Sequence, residues 1–117
     1  MNEHRLHLLP EYFELVASGV KAVEVRVATP AKAAIRPGDT ITFHSDHGRR
    51  VECEVTRVDR YPDFAALLAH EDPATITPAT ADPDAVLAAL RGIYPPEKEQ
   101  LGALALGITL LPDGRST

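Results

Sequence analysis

The sequence has few of the residues that would point to a disulfide framework, a metal centre or a membrane span. It contains one cysteine, which excludes an internal disulfide. No CxxC or HxxxH spacing predicts a zinc site, and no apolar run approaches the length needed to cross a bilayer. We therefore expect no cofactor, no bound metal and no association with a membrane.

A secretion signal and an excess of positive charge are also missing. The N-terminus lacks the apolar core of a signal peptide, so we expect a cytoplasmic location. The formal net charge is -5, and residues 61–117 carry this acidic excess, with three Lys/Arg against eight Asp/Glu. Non-specific nucleic-acid binding usually requires a basic domain. Any contact with nucleic acid should therefore be small and lie in the first half, where most cationic residues lie: Arg5, Lys21, Arg26, Arg36, Arg49 and Arg50.

Length and pattern indicate a single domain. A chain of 117 residues can close one modest core. The last alternating apolar segment ends near Leu110, and the residues after Leu111 are largely polar. We expect one domain over residues 1–111 and a polar C-terminal tail over residues 112–117.

Alternating apolar residues predict five strands, with short helices between them. In the fourth strand the alternation of Val51, Cys53 and Val55 skips to Val58, which predicts a β-bulge near Thr56. The helix that follows Asp63 is expected to close one end of a barrel, and residues 71–81 lack periodicity and predict a mobile loop. Because most connections are too short for parallel crossovers, we expect a mostly antiparallel, curled sheet. The predicted strands cover residues 4–9, 23–27, 39–45, 49–60 and 103–110.

The segment GVKAVEVR, residues 19–26, is the most informative part of the chain. Residues 10–18 before it are typical of a short helix, with Gly19 as its left-handed cap. From residue 23 onward the alternation places three valines on one strand face and Glu24 and Arg26 on the other. Lys21 lies at the turn between the helix and the strand.

This arrangement, GxKxxExR after a short helix containing PxxF, resembles the signature of the ASCH domain family. The resemblance continues through the RPGD turn of residues 36–39, through Tyr94-Pro95 and through the last strand, and it covers nearly the whole chain. It implies an α+β, PUA-like β-barrel with a cleft beside the motif strand. It also implies an RNA or nucleotide partner. The oligomeric state stays open.

Two interpretations of the motif charges remain open. Glu24 and Arg26 could form a surface ion pair that fixes strand register and contributes about 0.2 to 1 kcal/mol. Alternatively, curvature could draw them into a partly desolvated site, where Arg26 binds a phosphate or a base edge and Glu24 accepts from a hydroxyl or amino group. Lys21 beside Glu24 would then remain charged for phosphate binding, or act as a base if buried. His7 and Tyr94 are further candidate ligand-binding residues, with Tyr94 able to stack on a base.

The two functional hypotheses differ in class. The first is a module that binds short single-stranded RNA or a nucleotide, modified or not, around Lys21, Glu24 and Arg26. The second is a small hydrolase that uses Lys21 and Glu24, because one branch of the family hydrolyses N4-acetylcytidine and ribonuclease activity is associated with another. The amidohydrolase branch uses a lysine, a threonine and a glutamate. Here Lys21 matches the lysine, Glu24 replaces the threonine, and Glu71 and Asp72 are only distant candidates for the glutamate.

Overall fold

The computed structural model describes residues 2–77 and 82–111, and its strands lie close to the predicted segments. The strands are β1 (Glu3–His7), β2 (Val23–Val27), β3 (Thr40–His44), β4 (Arg50–Tyr61) and β5 (Ala103–Leu110). The helices are α1 (Pro10–Ala17), α2 (Pro30–Ala33), α3 (Phe64–His70), α4 (Pro73–Ile76), α5 (Pro83–Ile93) and α6 (Pro96–Glu99).

Aspartate caps start three of these helices. The carboxylates of Asp63, Asp72 and Asp82 accept hydrogen bonds from backbone N–H groups in the first turns of α3, α4 and α5. Such bonds satisfy donors that have no partner within the helix. The aspartates therefore determine where α3, α4 and α5 begin.

The strands form one curled sheet in the order β1-β3-β4-β5-β2. β1 and β3 pair in parallel, and the other three pairings are antiparallel. The expected PUA-like α+β fold with a mostly antiparallel, curled sheet is confirmed. The order leaves β1 and β2 at the two edges, so the first strand and the motif strand flank the opening of the curl.

The bulge lies where the broken alternation predicts it. The register of β4 against β5 shifts between Val55 and Arg57, which leaves Thr56 without a partner on β5. Gly107 on β5 lies against this bulge, and a Cβ atom there would be 2.6 Å from Thr56 Oγ1 and 2.8 Å from Arg57 Cγ. The absence of a side chain at Gly107 allows the two strands to approach.

The sheet buries apolar residues on both faces, and alternate residues of β5 belong to different clusters. The inner cluster contains the even-numbered β5 residues Leu104, Leu106 and Ile108 together with residues of α1, β1, β3 and β4. The outer cluster contains Ala103, Ala105 and the valines of β2 together with α3, α4 and α5. A strand covered on both faces becomes almost continuously apolar, as in the sequence of β5.

Helix α3 does not close the barrel as predicted. Its buried residues Phe64 and Leu67 belong to the outer cluster, while α1 contributes Phe13 and Val16 to the inner cluster. Both helices bury two apolar residues, so their sequences alone do not distinguish the face that each covers. The sequence-based assignment of α3 was therefore wrong.

The RPGD turn links β3 to the N-terminal strand through Asp39. Gly38 has a φ of 91°, and the carboxylate of Asp39 accepts hydrogen bonds from the backbone N–H groups of Asn2 and Arg36, both at 2.9 Å. His4 Nε2 lies 2.9 Å from the same carboxylate. These three hydrogen bonds lower the pKa of Asp39 to about 2, and the bond from the Asn2 N–H contributes most.

The segment predicted as a mobile loop contains a helix. Asp72 caps α4, and the backbone N–H of Thr77 donates to Pro73 O at 3.0 Å. Residues 78–81 of the predicted loop, and the predicted tail of residues 112–117, lie outside the described residues. Within residues 2–77 and 82–111, no helix is both long and apolar enough for a membrane span. No cluster of three potential metal ligands occurs in the same ranges.

Candidate functional site

The register of β2 against β5 places the motif charges on the inner face. Glu24 is opposite Leu106 and Arg26 is opposite Leu104, both members of the inner cluster. The side chain of Glu24 is only 6% exposed and that of Arg26 only 13%. These charges therefore lie inside the curl of the sheet and do not form an ordinary surface ion pair.

A cavity of about 310 Å³ opens beside these two side chains. Its walls are mostly apolar, with a few polar groups directed to one region, which is typical of a small-molecule site. The structure brings all five predicted site residues to this cavity. Its polar lining residues are His7, Tyr12, Lys21, Glu24, Arg26, Thr77 and Tyr94, and its apolar lining residues are Leu8, Leu9, Val25, Ile76, Val86, Ala89, Leu90 and Ile93.

The end of α1 determines where Lys21 lies. Gly19 has a φ of 80°, and the backbone N–H groups of Val20 and Lys21 both donate to Leu15 O, at 3.1 and 3.0 Å. These bonds turn the chain back toward the sheet. The next residue, Ala22, donates its N–H to Thr75 O at 3.1 Å. The turn therefore holds Lys21 between the start of β2 and helix α4.

The ammonium group of Lys21 is occupied by protein acceptors. Its Nζ donates to Val23 O and Ile76 O, each at 2.7 Å, and lies 3.3 Å from Glu24 Oε1. All three partners are acceptors, so they match the three N–H groups of a protonated lysine. A neutral amine would direct its lone pair at one of these oxygens. Lys21 is thus held as an ammonium with no N–H left for a ligand.

Burial outweighs the effect that the sequence predicts for Lys21. The carboxylate of Glu24 raises the pKa of Lys21, as expected for an ion pair, but desolvation is the larger effect and the pKa is lowered overall. The positive charge of Arg26 lowers it further. The predicted direction of the Glu24 effect is present, but it does not determine the net result.

Glu24 joins the two cations and Arg26 keeps free donors. Glu24 Oε2 accepts from Arg26 Nε at 2.6 Å, and Arg26 Nη2 donates to His7 O at 2.7 Å. A guanidinium has five N–H groups, so three remain without a partner among the described residues. Arg26 is therefore both fixed in place and able to donate into the cavity.

Tyr12 and Tyr94 line the cavity together with Arg26. The ring of Tyr94 lies 5.7 Å from the ring of Phe64, which supports it from the outer cluster. Burial raises the pKa of Tyr94, and the charge of Arg26 partly opposes this rise. The ring of Tyr12 lies 6.0 Å from Lys21 Nζ. Neither tyrosine hydroxyl has a hydrogen-bond partner among the described residues.

His7 lines the cavity, but its ring has another partner. Nε2 of His7 is 2.6 Å from Asp46 Oδ1, and the ring also meets that of His44 edge-on at 5.4 Å. The backbone carbonyl of His7 accepts from Arg26. His7 is therefore positioned to orient Arg26, with its imidazole engaged at the exposed side.

Sequence reasoning missed Tyr12, Thr77 and the apolar wall of the cavity. Tyr12 directly precedes the buried Phe13 in the PxxF helix. This position beside the core face is the feature of the sequence that could have identified Tyr12 as a lining residue. Thr77 ends α4 within the segment predicted as a loop. No local pattern indicates that this segment contacts the motif turn.

The acidic residues considered for a hydrolase site lie elsewhere. The carboxylate of Glu71 accepts from Arg57 at 2.7 and 3.0 Å and from the Tyr61 hydroxyl at 2.9 Å, and it does not line the cavity.

Cys53 is 1% exposed, and burial raises its pKa to about 12 with a smaller contribution from the charge of Glu24. A thiol with such a pKa is a poor nucleophile at neutral pH.

Comparisons with known proteins agree with this fold. A model of the ASCH domain family matches residues 6–112. The crystal structure of the hypothetical protein PH0355 is similar with a TM-score of 0.84 and 26% sequence identity, and the match covers 93% of this chain and 99% of that chain. The solution NMR structure of protein PF0455 from Pyrococcus furiosus gives a TM-score of 0.75 at 27% identity, with 93% and 97% covered. No curated protein matches the chain.

Proposed function

The chain belongs to the ASCH domain family, and we propose that it binds short single-stranded RNA or a single nucleotide, modified or not, in the cavity beside β2. The observation that carries this proposal is that the guanidinium of Arg26 has a free edge, meaning N–H groups that are not bonded within the described part of the protein. Three of its N–H groups have no partner among the described residues while Glu24 and His7 hold the rest of the side chain. Such a fixed fork is suited to a base edge or a phosphate.

The aromatic side chains support the same ligand class. Tyr12 and Tyr94 both line the cavity, and single-stranded nucleic acid is commonly bound by stacking unpaired bases on aromatic rings. A cavity of about 310 Å³ is at the small end of the range for ligand sites. It therefore favours one nucleotide unit over a longer segment.

In this proposal the three charged residues have different roles. Arg26 contacts the ligand, Glu24 orients Arg26, and Lys21 contributes charge while it holds the wall formed by Ile76 and Thr77. His7 positions Arg26 through its carbonyl, and Tyr94 provides a stacking surface.

Binding of a labelled five-nucleotide oligouridine tests the proposal. We expect weak, saturable binding by fluorescence anisotropy, and backbone amide shifts at the cavity residues in NMR spectra. Tyr94→Ala should weaken binding several-fold, because base stacking on an aromatic ring contributes about 1–3 kcal/mol. Tyr61→Ala is the matched control, since Tyr61 lies outside the cavity lining. Absence of binding at millimolar oligouridine, or shifts confined to another surface, would refute the proposal.

Hydrolysis by Lys21 and Glu24 is the alternative function. The observation in its favour is that Thr77 adds a hydroxyl to the cavity in which Lys21 and Glu24 lie. Against it, every N–H of Lys21 is already paired, and Glu71 is bound by Arg57 and Tyr61. We therefore rank hydrolysis second.

Chromatography after incubation with N4-acetylcytidine distinguishes the two functions. We expect no release of cytidine. Efficient release that is abolished by both Lys21→Met and Thr77→Val, with the fold retained in circular dichroism, would replace the binding proposal with an amidohydrolase.

A further inference from the structure

The cavity lining contains an unbalanced positive charge. Among the described residues that form it, Lys21 and Arg26 are cationic and Glu24 is the one carboxylate. The ring of His7 is engaged by Asp46, which lies outside the lining. Burying an uncompensated charge is costly, and the side chain of Arg26 is only 13% exposed. An anionic ligand group would balance this charge.

The excess positive charge belongs to the cluster of Lys21, Glu24 and Arg26, and the unpaired donors of this cluster are on Arg26. Lys21 is surrounded by three protein acceptors, whereas Arg26 retains three N–H groups. A guanidinium edge with free, coplanar N–H groups binds two oxygens of one oxyanion in parallel. A neutral base edge could accept these hydrogen bonds, but it would leave the charge uncompensated.

We propose that the free edge of Arg26 binds a phosphate group, so that the cavity accepts phosphorylated nucleotides and discriminates against free nucleosides. This inference rests on the proposed function and specifies the group that the site recognises. The tyrosine rings then contact the base and the apolar wall contacts the sugar.

Comparison of uridine with its monophosphates tests the inference on the unaltered protein. By isothermal titration calorimetry at one pH and ionic strength, uridine 5′- or 3′-monophosphate should bind at least about tenfold more tightly than uridine, as expected for charge-assisted hydrogen bonds. Inorganic phosphate and ribose 5-phosphate separate the contribution of the anion from that of the base. Both should bind more weakly than the better uridine monophosphate.

Three variants assign the discrimination to Arg26. Arg26→Gln should reduce the preference for the monophosphate to less than about threefold, because the charge and the fork are both lost. Arg26→Lys keeps the charge without the fork and should retain an intermediate preference. Arg50→Gln removes the same charge from an exposed residue outside the cavity lining and should leave the preference unchanged.

The outcomes separate this inference from the proposed function. Equal binding of uridine and its monophosphates, with oligouridine still bound, overturns the inference and leaves the proposed function intact. Inorganic phosphate that binds as tightly as the best monophosphate also overturns it, since the base then contributes nothing. If none of these ligands binds, both this inference and the proposed function are overturned. If circular dichroism shows that Arg26→Gln is unfolded, the wild-type comparison and Arg26→Lys decide the result.

Discussion

At the scale of single residues, Lys21 shows how much a side chain's role depends on its partners. Its type and its position in the motif suggest a phosphate-binding group or a base, but its Nζ is bonded to Val23 O, Ile76 O and Glu24. These bonds connect the turn after α1 to β2 and α4. The first role that the structure indicates for Lys21 is therefore to hold these elements together.

Lys21→Met should strongly destabilise the protein. Removing the ammonium leaves the buried acceptors Val23 O, Ile76 O and Glu24 Oε1 without their donor, and an unsatisfied buried acceptor costs about 1–3 kcal/mol. Urea unfolding measures this loss, and Lys98→Met, at an exposed lysine, should change the free energy of unfolding by less than about 0.5 kcal/mol. Equal effects of Lys21→Met and Lys98→Met would contradict the bonding described here.

Asp39 makes the stability depend on acidic pH. Its pKa of about 2 in the folded protein lies below the value of about 3.9 for an unfolded aspartate. Its contribution is therefore fully present above pH 4 and is lost as the pH falls toward 2. Urea unfolding between pH 5 and 2 should show a steep loss of stability.

Asp39→Asn should flatten this pH dependence, although Glu71 and Glu99 retain part of it because arginine partners lower their pKa values as well. Glu54→Gln, at an exposed carboxylate, serves as the control and should keep the wild-type slope. An unchanged slope in Asp39→Asn would show that the hydrogen bonds to this carboxylate do not persist in solution.

At the scale of elements, the pairing of β4 with β5 depends on the bulge and the glycine opposite it. The skipped alternation at Thr56 predicts the bulge from sequence, and the structure confirms it. What the sequence does not show is that Gly107 is the residue lying against it. That contact requires the register between two strands about fifty residues apart.

Gly107→Ala should destabilise the sheet. The added Cβ would lie 2.6 Å from Thr56 Oγ1 and 2.8 Å from Arg57 Cγ, so these side chains or their strand must shift, with an expected cost of about 1–3 kcal/mol. Gly92→Ala is the matched control, because its Cβ would meet nothing within 4 Å in helix α5. That substitution should stabilise the protein by about 0.5–1 kcal/mol. Comparable stability of the two variants in urea unfolding would rule out the close contact at Gly107.

At the scale of the whole molecule, the charge distribution limits how nucleic acid can be bound. The net charge is -5, whereas the cavity lining contains two cationic residues, Lys21 and Arg26, against one carboxylate, Glu24. Extended phosphate contacts require many unpaired cations. In this protein, by contrast, Arg49 and Arg57 are already paired with Glu14 and Glu71.

The salt dependence of RNA binding should therefore be shallow. For one or two phosphate contacts to a single strand, affinity should fall by only about three- to sevenfold between 50 and 200 mM salt. Fluorescence anisotropy with oligouridine at several salt concentrations gives the slope. A decrease of a hundredfold or more would indicate a long electrostatic interface and contradict binding in the cavity.

The sequence by itself determined the strands, the bulge, the motif turn and the residues of the charged cluster. These features depend on period-two alternation, on glycine at positive φ and on local spacing, all of which neighbouring residues determine. The same local information identified Lys21, Glu24 and Arg26 but left their environment open between an exposed ion pair and a buried site.

Only the tertiary structure decided that environment. The pairing of β2 with β5 turns Glu24 and Arg26 inward, and α4 brings Ile76 O to Lys21 across 55 residues of sequence. The same packing placed α3 on the outer face and assembled Tyr12, Thr77 and Tyr94 around one cavity. The physical reason is that burial and hydrogen-bond partners depend on contacts between distant segments. These contacts determine which N–H groups are paired within the protein and which remain free for a ligand.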